Sequence, residues 1–431
     1  MEAAKVWTKC RDLHLAARKE SSKWPNKDTL QKASKGYGLH SQSAQMVCHA
    51  FLANIDTATQ LRRSGRKEIR YPWRDKLFYP LMWPAQAMSL QSNRIVLPMG
   101  RGRSSIVLDK PEWLTVPAAC KLVWNGVCDE LHVVVETEQA TEAPGDAHAC
   151  IDLGQIHLAT VVTNTGQALI ISGRGVRSEK RGMNMMHGEM AKKLSRCTKG
   201  SRRWKKLRRT RATQASRIDR RVRDMRHNAT RQAIDFCIEN KVGKVFVGNP
   251  DGVRRNACGR KHNQRMSQWE YGKDINYLEQ KSNKAAIECF TGSERGTSSR
   301  CPECGAKHKP SGRNWNCKAC SFSGHRDVVG GVNMHPLAFD EKVKFPSRSD
   351  TTYLRPGQRR LQQCIGTGKA SGIKNQSMGS SSCSDTSQGV GVLAATLLLI
   401  ESMDSTTSAA MPWASQEAGQ LHAFSSEARS L

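Results

Sequence analysis

The chain has 431 residues, enough for two or three domains with cores of their own, and a formal net charge of +30. An excess of Lys and Arg on that scale calls for a polyanionic partner, nucleic acid foremost. The longest apolar run, Val390 to Ile400, is too short to span a bilayer, and Lys5, Lys9 and Arg11 interrupt the start before any signal-peptide core forms. A cytosolic protein with no membrane partner is therefore expected.

In chain order, Ala44, Val47, Phe51 and Ile55 recur on one helical face that ends at Arg62 and Arg63, and roughly the first sixty residues read as helical. From Ile69 the texture turns to β. Ile95 to Leu97 and Ile106 to Leu108 flank the turn-rich segment Pro98 to Arg103, while Leu122 to Trp124 and Leu131 to Val135 flank Asn125-Gly126, a hairpin signal. These runs predict a small β-barrel. A second β unit opens at Ala147: Ala149 to Leu153, Ile156 to Val162 and Ala168 to Ile171 form a meander whose first strand ends on Asp152. Residues 174–240 then read as long helices, with Ile218, Val222, Met225, Ala229 and Ala233 on one stripe. Lys244 to Gly248 is a buried strand, Tyr277 to Ala286 a helix and Ile287 to Phe290 another strand, so the unit reads as α/β with a mixed sheet. Beyond about Val343 the chain is rich in Ser, Gly, Thr and Gln without periodicity, and a disordered tail is expected.

Two CxxC pairs, Cys301/Cys304 and Cys317/Cys320, have the spacing of a four-thiolate zinc site, closed and therefore structural. The other eleven of the fifteen cysteines have no framework spacing and read as reduced thiols. Between the pairs, Lys307, His308, Lys309, Arg313 and Trp315 offer either a nucleic-acid contact or a solvated loop. Asp152, at the end of an apolar strand, needs a partner charge if buried, a divalent metal being one; a cap or turn role is the other reading. Asp327, just past the cysteines and before the small-residue stretch Val328 to Asn333, which could pack closely on a sheet, looks placed for chemistry, a helix N-cap being the other reading. The run Arg202, Arg203, Lys205, Lys206, Arg208 and Arg209, with Trp204 among them, reads as a surface that tracks phosphates.

Taken together, Ile151-Asp152-Leu153-Gly154, Thr297-Ser298 leading into Cys301-Pro302-Glu303-Cys304-Gly305, and His325-Arg326-Asp327 resemble the TnpB (OrfB) proteins of insertion sequences, relatives of the type V CRISPR effectors. The resemblance covers about residues 40 to 340 and is most specific from Thr297 to Met334. It implies an α/β protein, multi-domain α+β overall: an RNase H-like RuvC nuclease domain with an inserted zinc ribbon, preceded by a helical segment and a small β-barrel. Applied to this chain, the expected parts are a helical recognition segment (1–66), a wedge-like barrel (67–146), and the nuclease domain (147–298) with its basic helical insertion (174–240). The ribbon (299–322), the last nuclease motif (323–342) and the disordered tail (343–431) follow.

The implied activity is RNA-guided DNA cleavage by two magnesium ions, with a transposon-end guide RNA and a double-stranded DNA target as partners, in a prokaryotic cytosol or nucleoid. Asp152 matches the family's first catalytic aspartate and Asp327 its last. The middle carboxylate departs: the strand Val245-Phe246-Val247 ends on Gly248 and Asn249 where the family usually has glutamate. Members with a similar segment, and with counterparts of His262-Asn263-Gln264 and Gln268-Trp269, carry a relocated glutamate just before the Thr-Ser dipeptide. Glu294 occupies that place here, with Asp251 and Glu270 as rivals. Without a third carboxylate the chain would be an RNA-guided binder that does not cut, or a transposase accessory. The start also departs, opening in helix-like sequence rather than in a β-strand.

Overall fold

A computed structural model describes residues 1–112, 114, 117–250, 259–308, 312–357 and the backbone of strand 396–402. The chain divides into two compact units, Met1–Thr137 with the segment from Ser387, and Glu138–Thr386.

In the first unit, α1 (Glu2–Lys19), α2 (Lys27–Ala33) and α3 (Ser41–Arg63) precede six short strands. Trp7 of α1 meets Phe51 of α3 edge-on at 5.0 Å, in a core with Val6, Cys10 and Val47. Asn26 caps α2, its side chain accepting from the Thr29 amide at 2.9 Å. The strands are β1 (Leu81–Pro84), β2 (Ser89–Gln91), β3 (Arg94–Leu97), β4 (Ile106–Asp109), β5 (Ala119–Trp124) and β6 (Asp129–Glu136). The Asn125-Gly126 hairpin forms between β5 and β6, where Asn125 Oδ1 accepts from the amides of Val127 and Cys128 and Gly126 takes φ 93°. The strands pair as two sheets rather than as one closed barrel: β2-β3-β4 is an antiparallel meander, and β1-β5-β6 carries Thr396–Ser402 parallel to β6. Pro84 and Pro98 stand where β1 and β3 end, and a residue without an amide proton cannot carry the ladder onward.

The second unit is built on a six-stranded sheet. Its strands are β7 (Ala147–Leu153), β8 (His157–Thr163), β9 (Ala168–Ser172), β10 (Val242–Asn249), β11 (Glu288–Ser293) and, beyond the ribbon strands β12 (Asn314–Asn316) and β13 (Ser323–His325), β14 (Thr351–Leu354). The sheet order is β11-β10-β7-β8-β9-β14. β7, β8 and β9 run antiparallel in sequence, β10 is parallel to β7 and β11 to β10. That is the RNase H-like arrangement. The helices are α4 (Arg174–Ser195), α5 (Arg202–Glu239), α6 (Arg260–Gln268), α7 (Tyr271–Lys284) and α8 (Arg326–Ala338). Strand alternation divides the sheet: Ile151, Val161, Leu169, Val245 and Val247 share a core with Ala233 of α5 and Leu278 of α7. Cys150, Phe246, Val162 and Ile170 face Val328, Val332 and Met334 of α8.

Helices α4 and α5 form an antiparallel pair, joined by Arg211 to His187 and Arg221 to Glu179. No side chain of α5 before Val222 is buried; from there Ala229, Ala233, Ile234 and Cys237 pack on the sheet. Arg226, 1% exposed, donates to Asp274 at 2.5 Å and lies under Trp269, fastening α5 to α7. Residues 343–357, expected in an unstructured tail, belong to the fold: Phe345 packs on Phe322 at 4.9 Å and β14 pairs in parallel with β9. A four-residue strand and one aromatic anchor leave no periodicity to detect. Among the described residues, no helix is long and apolar enough to cross a membrane.

Candidate active site

On the face of the sheet that carries α8, the end of β7 meets Gly330 of the helix and the end of β10 meets its Met334. Asp152 follows Cys150 on this face by strand alternation. Gly330 of α8 lies on its carboxylate: a β-carbon there would stand 2.9 Å from Asp152 Oδ2, and one at Gly331 only 2.5 Å from Val162 Cγ2. The Gly330-Gly331 pair is what allows the helix to come so close.

Glu294 sits one residue beyond β11, which pairs with β10 so that Gly248 is opposite Gly292. Its carboxylate folds back over Gly248, where any β-carbon would collide with Glu294 Oε2 and lie 3.0 Å from Met334 Sδ. The turn that returns the chain is fixed by Thr297, whose amide and hydroxyl both donate to the Glu294 carbonyl at 3.2 and 2.9 Å, and by Gly296 at φ 90°. Glu294 Oε2 is buried and has no hydrogen-bond partner among the described residues. Burial pushes this carboxyl up to about 7. Burial, and then the charges of Glu294 and Asp327, hold the Asp152 carboxyl well above the usual carboxylate range.

Asp327 behaves in the opposite way. Burial alone would raise it, but His157 Nδ1 at 2.6 Å and the charge of Arg313 hold it below the ordinary value. Arg313 Nη1 donates to both carboxylate oxygens, at 2.7 and 2.8 Å. The cap of α8 is His325, whose Nδ1 accepts from the Asp327 amide, so Asp327 is the first-turn carboxylate rather than the cap. The His157 and His325 rings are 4.9 Å apart. Of the expected carboxylates, Asp152 lies near enough to Glu294 and to Asp327 for both charges to act on it, while Asp327 has its ligand atom within 4.8 Å of those of His157 and His325. Glu270 is committed elsewhere: against the upward push of burial, Lys180 and Lys273 hold it down to about 2, with Lys180 at 2.9 Å. Asp251 lies outside the described residues.

The four ribbon cysteines converge, with all sulfurs within 4.8 Å of one another. Cys301 and Cys320 are 3.7 Å apart and Cys304 and Cys317 3.5 Å. A tetrahedron with metal–sulfur bonds of ~2.3 Å has edges of about 3.8 Å, so this donor set fits a zinc-sized ion. Trp315, read as a possible nucleic-acid contact, is fully buried instead, its indole donating to the Ser298 carbonyl at 3.1 Å. Asn333 of α8 donates to the carbonyls of Thr297 and Arg300, at 2.7 and 2.8 Å, and so ties the ribbon's entrance to the helix bearing Asp327. Lys309 lies outside the described residues.

Arg202, Arg203, Lys205, Lys206, Arg208 and Arg209 are all exposed on the part of α5 that buries nothing. Arg208 lies over the Trp204 ring at 5.2 Å. His157 and Arg313, which grip Asp327, are not apparent in the sequence: His157 is close to Asp152 in the chain, but nothing marks it as a partner of Asp327.

Residues 132–254 match a family described as OrfB_IS605, probable transposase, and residues 271–334 match the Cas12f1-like TNB domain. No curated protein matches the chain. Among solved structures, the protein of a Cas12f1–sgRNA–target DNA complex is 13% identical, with a TM-score of 0.53 over 77% of this chain and 80% of that one. The protein of a CRISPR-Cas12f ternary complex is 14% identical over 77% and 79%, with a TM-score of 0.36. The first likeness shows the fold, and the two family matches cover the segments that supply Asp152, Glu294, the four cysteines and Asp327. In these two segments the chain is similar to the OrfB_IS605 transposase family and to the Cas12f1-like TNB domain, the kinship that the TnpB (OrfB) resemblance of its motifs implies.

Proposed function

We propose that this protein is an RNA-guided DNA endonuclease in which Asp152, Glu294 and Asp327 hold divalent metal ions and the four cysteines hold a structural zinc. One observation carries the reading: the carboxylate of Glu294 folds over Gly248 near Asp152, with its Oε2 buried and unpartnered among the described residues, which supports Glu294 as the replacement for a carboxylate at Gly248. Three carboxylates held together, two of them pushed up by burial, form a site that a cation would relieve, and hard oxygen donors suit magnesium. Magnesium bound there supplies an activated water and a counter-charge for the departing 3′ oxygen.

The chain's own residues do the rest. His157 and Arg313 orient Asp327 and keep it ionised. Thr297 fixes the backbone of Glu294, and Gly330 admits α8 against Asp152. The exposed cations of α5 track phosphates, and sequence choice comes from base pairing between guide and target. The partnership with RNA and DNA follows the complex in which the similar Cas12f1 protein was solved.

The test is cleavage of target DNA by protein purified with its co-expressed transposon-end RNA, alongside calorimetric binding of Mn²⁺. Asp152→Ala and Asp327→Ala are expected to abolish cutting. Glu294→Gln should lower it about 10²-fold or more and weaken Mn²⁺ binding, since a displaced charge in the site has effects of that order. Guide-dependent DNA occupancy with intact DNA under all metals would establish the non-cutting binder instead, and a strand-transfer product would establish a transposase.

A further inference from the structure

Strand β14 lies outside the five strands of the RNase H-like sheet and carries one large exposed side chain, Tyr353, 56% exposed. Its neighbour Leu354 is 7% exposed and packs into the core beneath α5. Tyr353 is in register with Ile170, which faces α8, so alternation puts the phenol on the face of the carboxylates. There it meets the His325 ring edge-on, 6.1 Å between centroids at 80°. His325 caps the helix turn that bears Asp327, and its ring is also 4.9 Å from the His157 ring. Asp327 is near enough for its charge to act on the phenol. The fold makes little use of this ring: it is mostly in water, and its hydroxyl has no hydrogen bond among the described residues.

We propose that Tyr353, backed by His325, is a stacking platform for one unpaired nucleobase of the strand whose phosphate lies at Asp152, Glu294 and Asp327. The inference rests on the nuclease reading for the identity of that strand. Its physical content is independent of cleavage: an exposed aromatic face next to a phosphate-binding centre in a cationic protein gives an unpaired base a partner whatever its identity. A base stacked there would hold the adjoining phosphodiester in register with the carboxylates, so Tyr353 is a positioning residue. The platform comes with β14 and not with the motifs that define the acidic site.

The test uses the full chain with its copurified RNA and no added magnesium. Single-stranded DNA with 2-aminopurine at each position in turn, and the same sequence as RNA, report stacking by fluorescence quenching and affinity by anisotropy. One position is expected to be quenched in the wild type and in Tyr353→Phe. In Tyr353→Ala that quenching should vanish and affinity should fall about tenfold, the size of one stacked base. Because the ring is exposed, Tyr353→Ala should melt with the wild type, and agreement of the two melts excludes misfolding as the cause. Quenching of the DNA alone, or of the RNA alone, identifies which strand supplies the base. Tyr353-dependent quenching in a protein that cuts nothing would sink the nuclease reading and leave the platform standing. Equal quenching and affinity in wild type and Tyr353→Ala, with cleavage intact, would overturn the platform alone.

Discussion

Gly248 carries the most information of any single residue in the acidic site. A glycine where the resemblance implies a carboxylate could mean a lost site, but here the missing side chain is the space that Glu294 fills. Gly248→Ala therefore distinguishes a vacated position from a swapped one. The added methyl would push against Glu294 Oε2 and Met334 Sδ, both ends of flexible side chains, so the protein should fold at a cost of about 1–3 kcal/mol. The carboxylate, however, would have to leave its place, and a displacement near 1 Å costs about 10²-fold in rate. Cleavage should fall by that order and Mn²⁺ affinity should fall with it, measured by single-turnover kinetics and calorimetry. An alanine variant with unchanged rate and metal affinity would mean that Glu294 does not belong to the site. Asp152 and Asp327 could be found in the sequence because each sits in a motif beside recognisable local structure. Glu294 was legible only through its distance from Thr297-Ser298. His157 and Arg313 were not legible, since their contacts with Asp327 cross from a strand and from the ribbon, and neither residue type is unusual in a loop.

Among the elements, the ribbon and α8 act as one clamp. The ribbon enters after Glu294 and leaves into Asp327, so the distance between these two carboxylates depends on how firmly its base is held. Three fixings are visible: the cysteine cluster, the Trp315 indole on the Ser298 carbonyl, and the two Asn333 bonds to Thr297 and Arg300. Chelating the zinc proposed for the cysteines, or Cys304→Ala with Cys317→Ala, is expected to open residues 299–325 to limited proteolysis and to weaken Mn²⁺ binding at the carboxylates. Asn333→Ala, which leaves two carbonyls short of a donor, should cost about 1–3 kcal/mol in thermal or urea melts while the cysteines still hold zinc. Unchanged Mn²⁺ affinity after zinc removal would separate the ribbon from the acidic site. At this scale the sequence is a good guide where the pattern is strong: the β7-β8-β9 meander follows from its apolar runs and turn, and the second half of α5 from the stripe Ile218 to Ala233. Strand β14 escapes because four residues carry too little pattern, and Trp315 misleads because a tryptophan among basic residues looks like a nucleic-acid contact until its burial is known.

For the whole molecule, the net charge of +30 matters through where it is free. Some cations of the second unit are already engaged: Arg226 is buried against Asp274, Lys180 is on Glu270 and Arg313 is on Asp327. The first half of α5 differs, because its six Arg and Lys residues from Arg202 to Arg209 have no carboxylate within ion-pair distance among the described residues. At 1.5 Å per residue the whole helix is about 57 Å long, and before Val222 it buries no side chain fully, Ile218 alone reaching the core's edge, so its first turns are a charged arm held chiefly against α4. Free cations of this kind bind nucleic acid by releasing condensed counterions, which makes affinity fall with the logarithm of salt concentration by ~0.7–0.9 per phosphate neutralised. Replacing the six by alanine is therefore expected to reduce the salt slope of nucleic-acid binding by up to about 5, and to weaken every sequence alike. Cleavage of an already bound target should be little changed, because the arm supplies no group to the carboxylates. Binding isotherms from low to moderate salt for wild type and variant measure the slope directly. An unchanged slope would mean that these charges face solvent in the complex too, and that the polyanion is held by other cations of the chain.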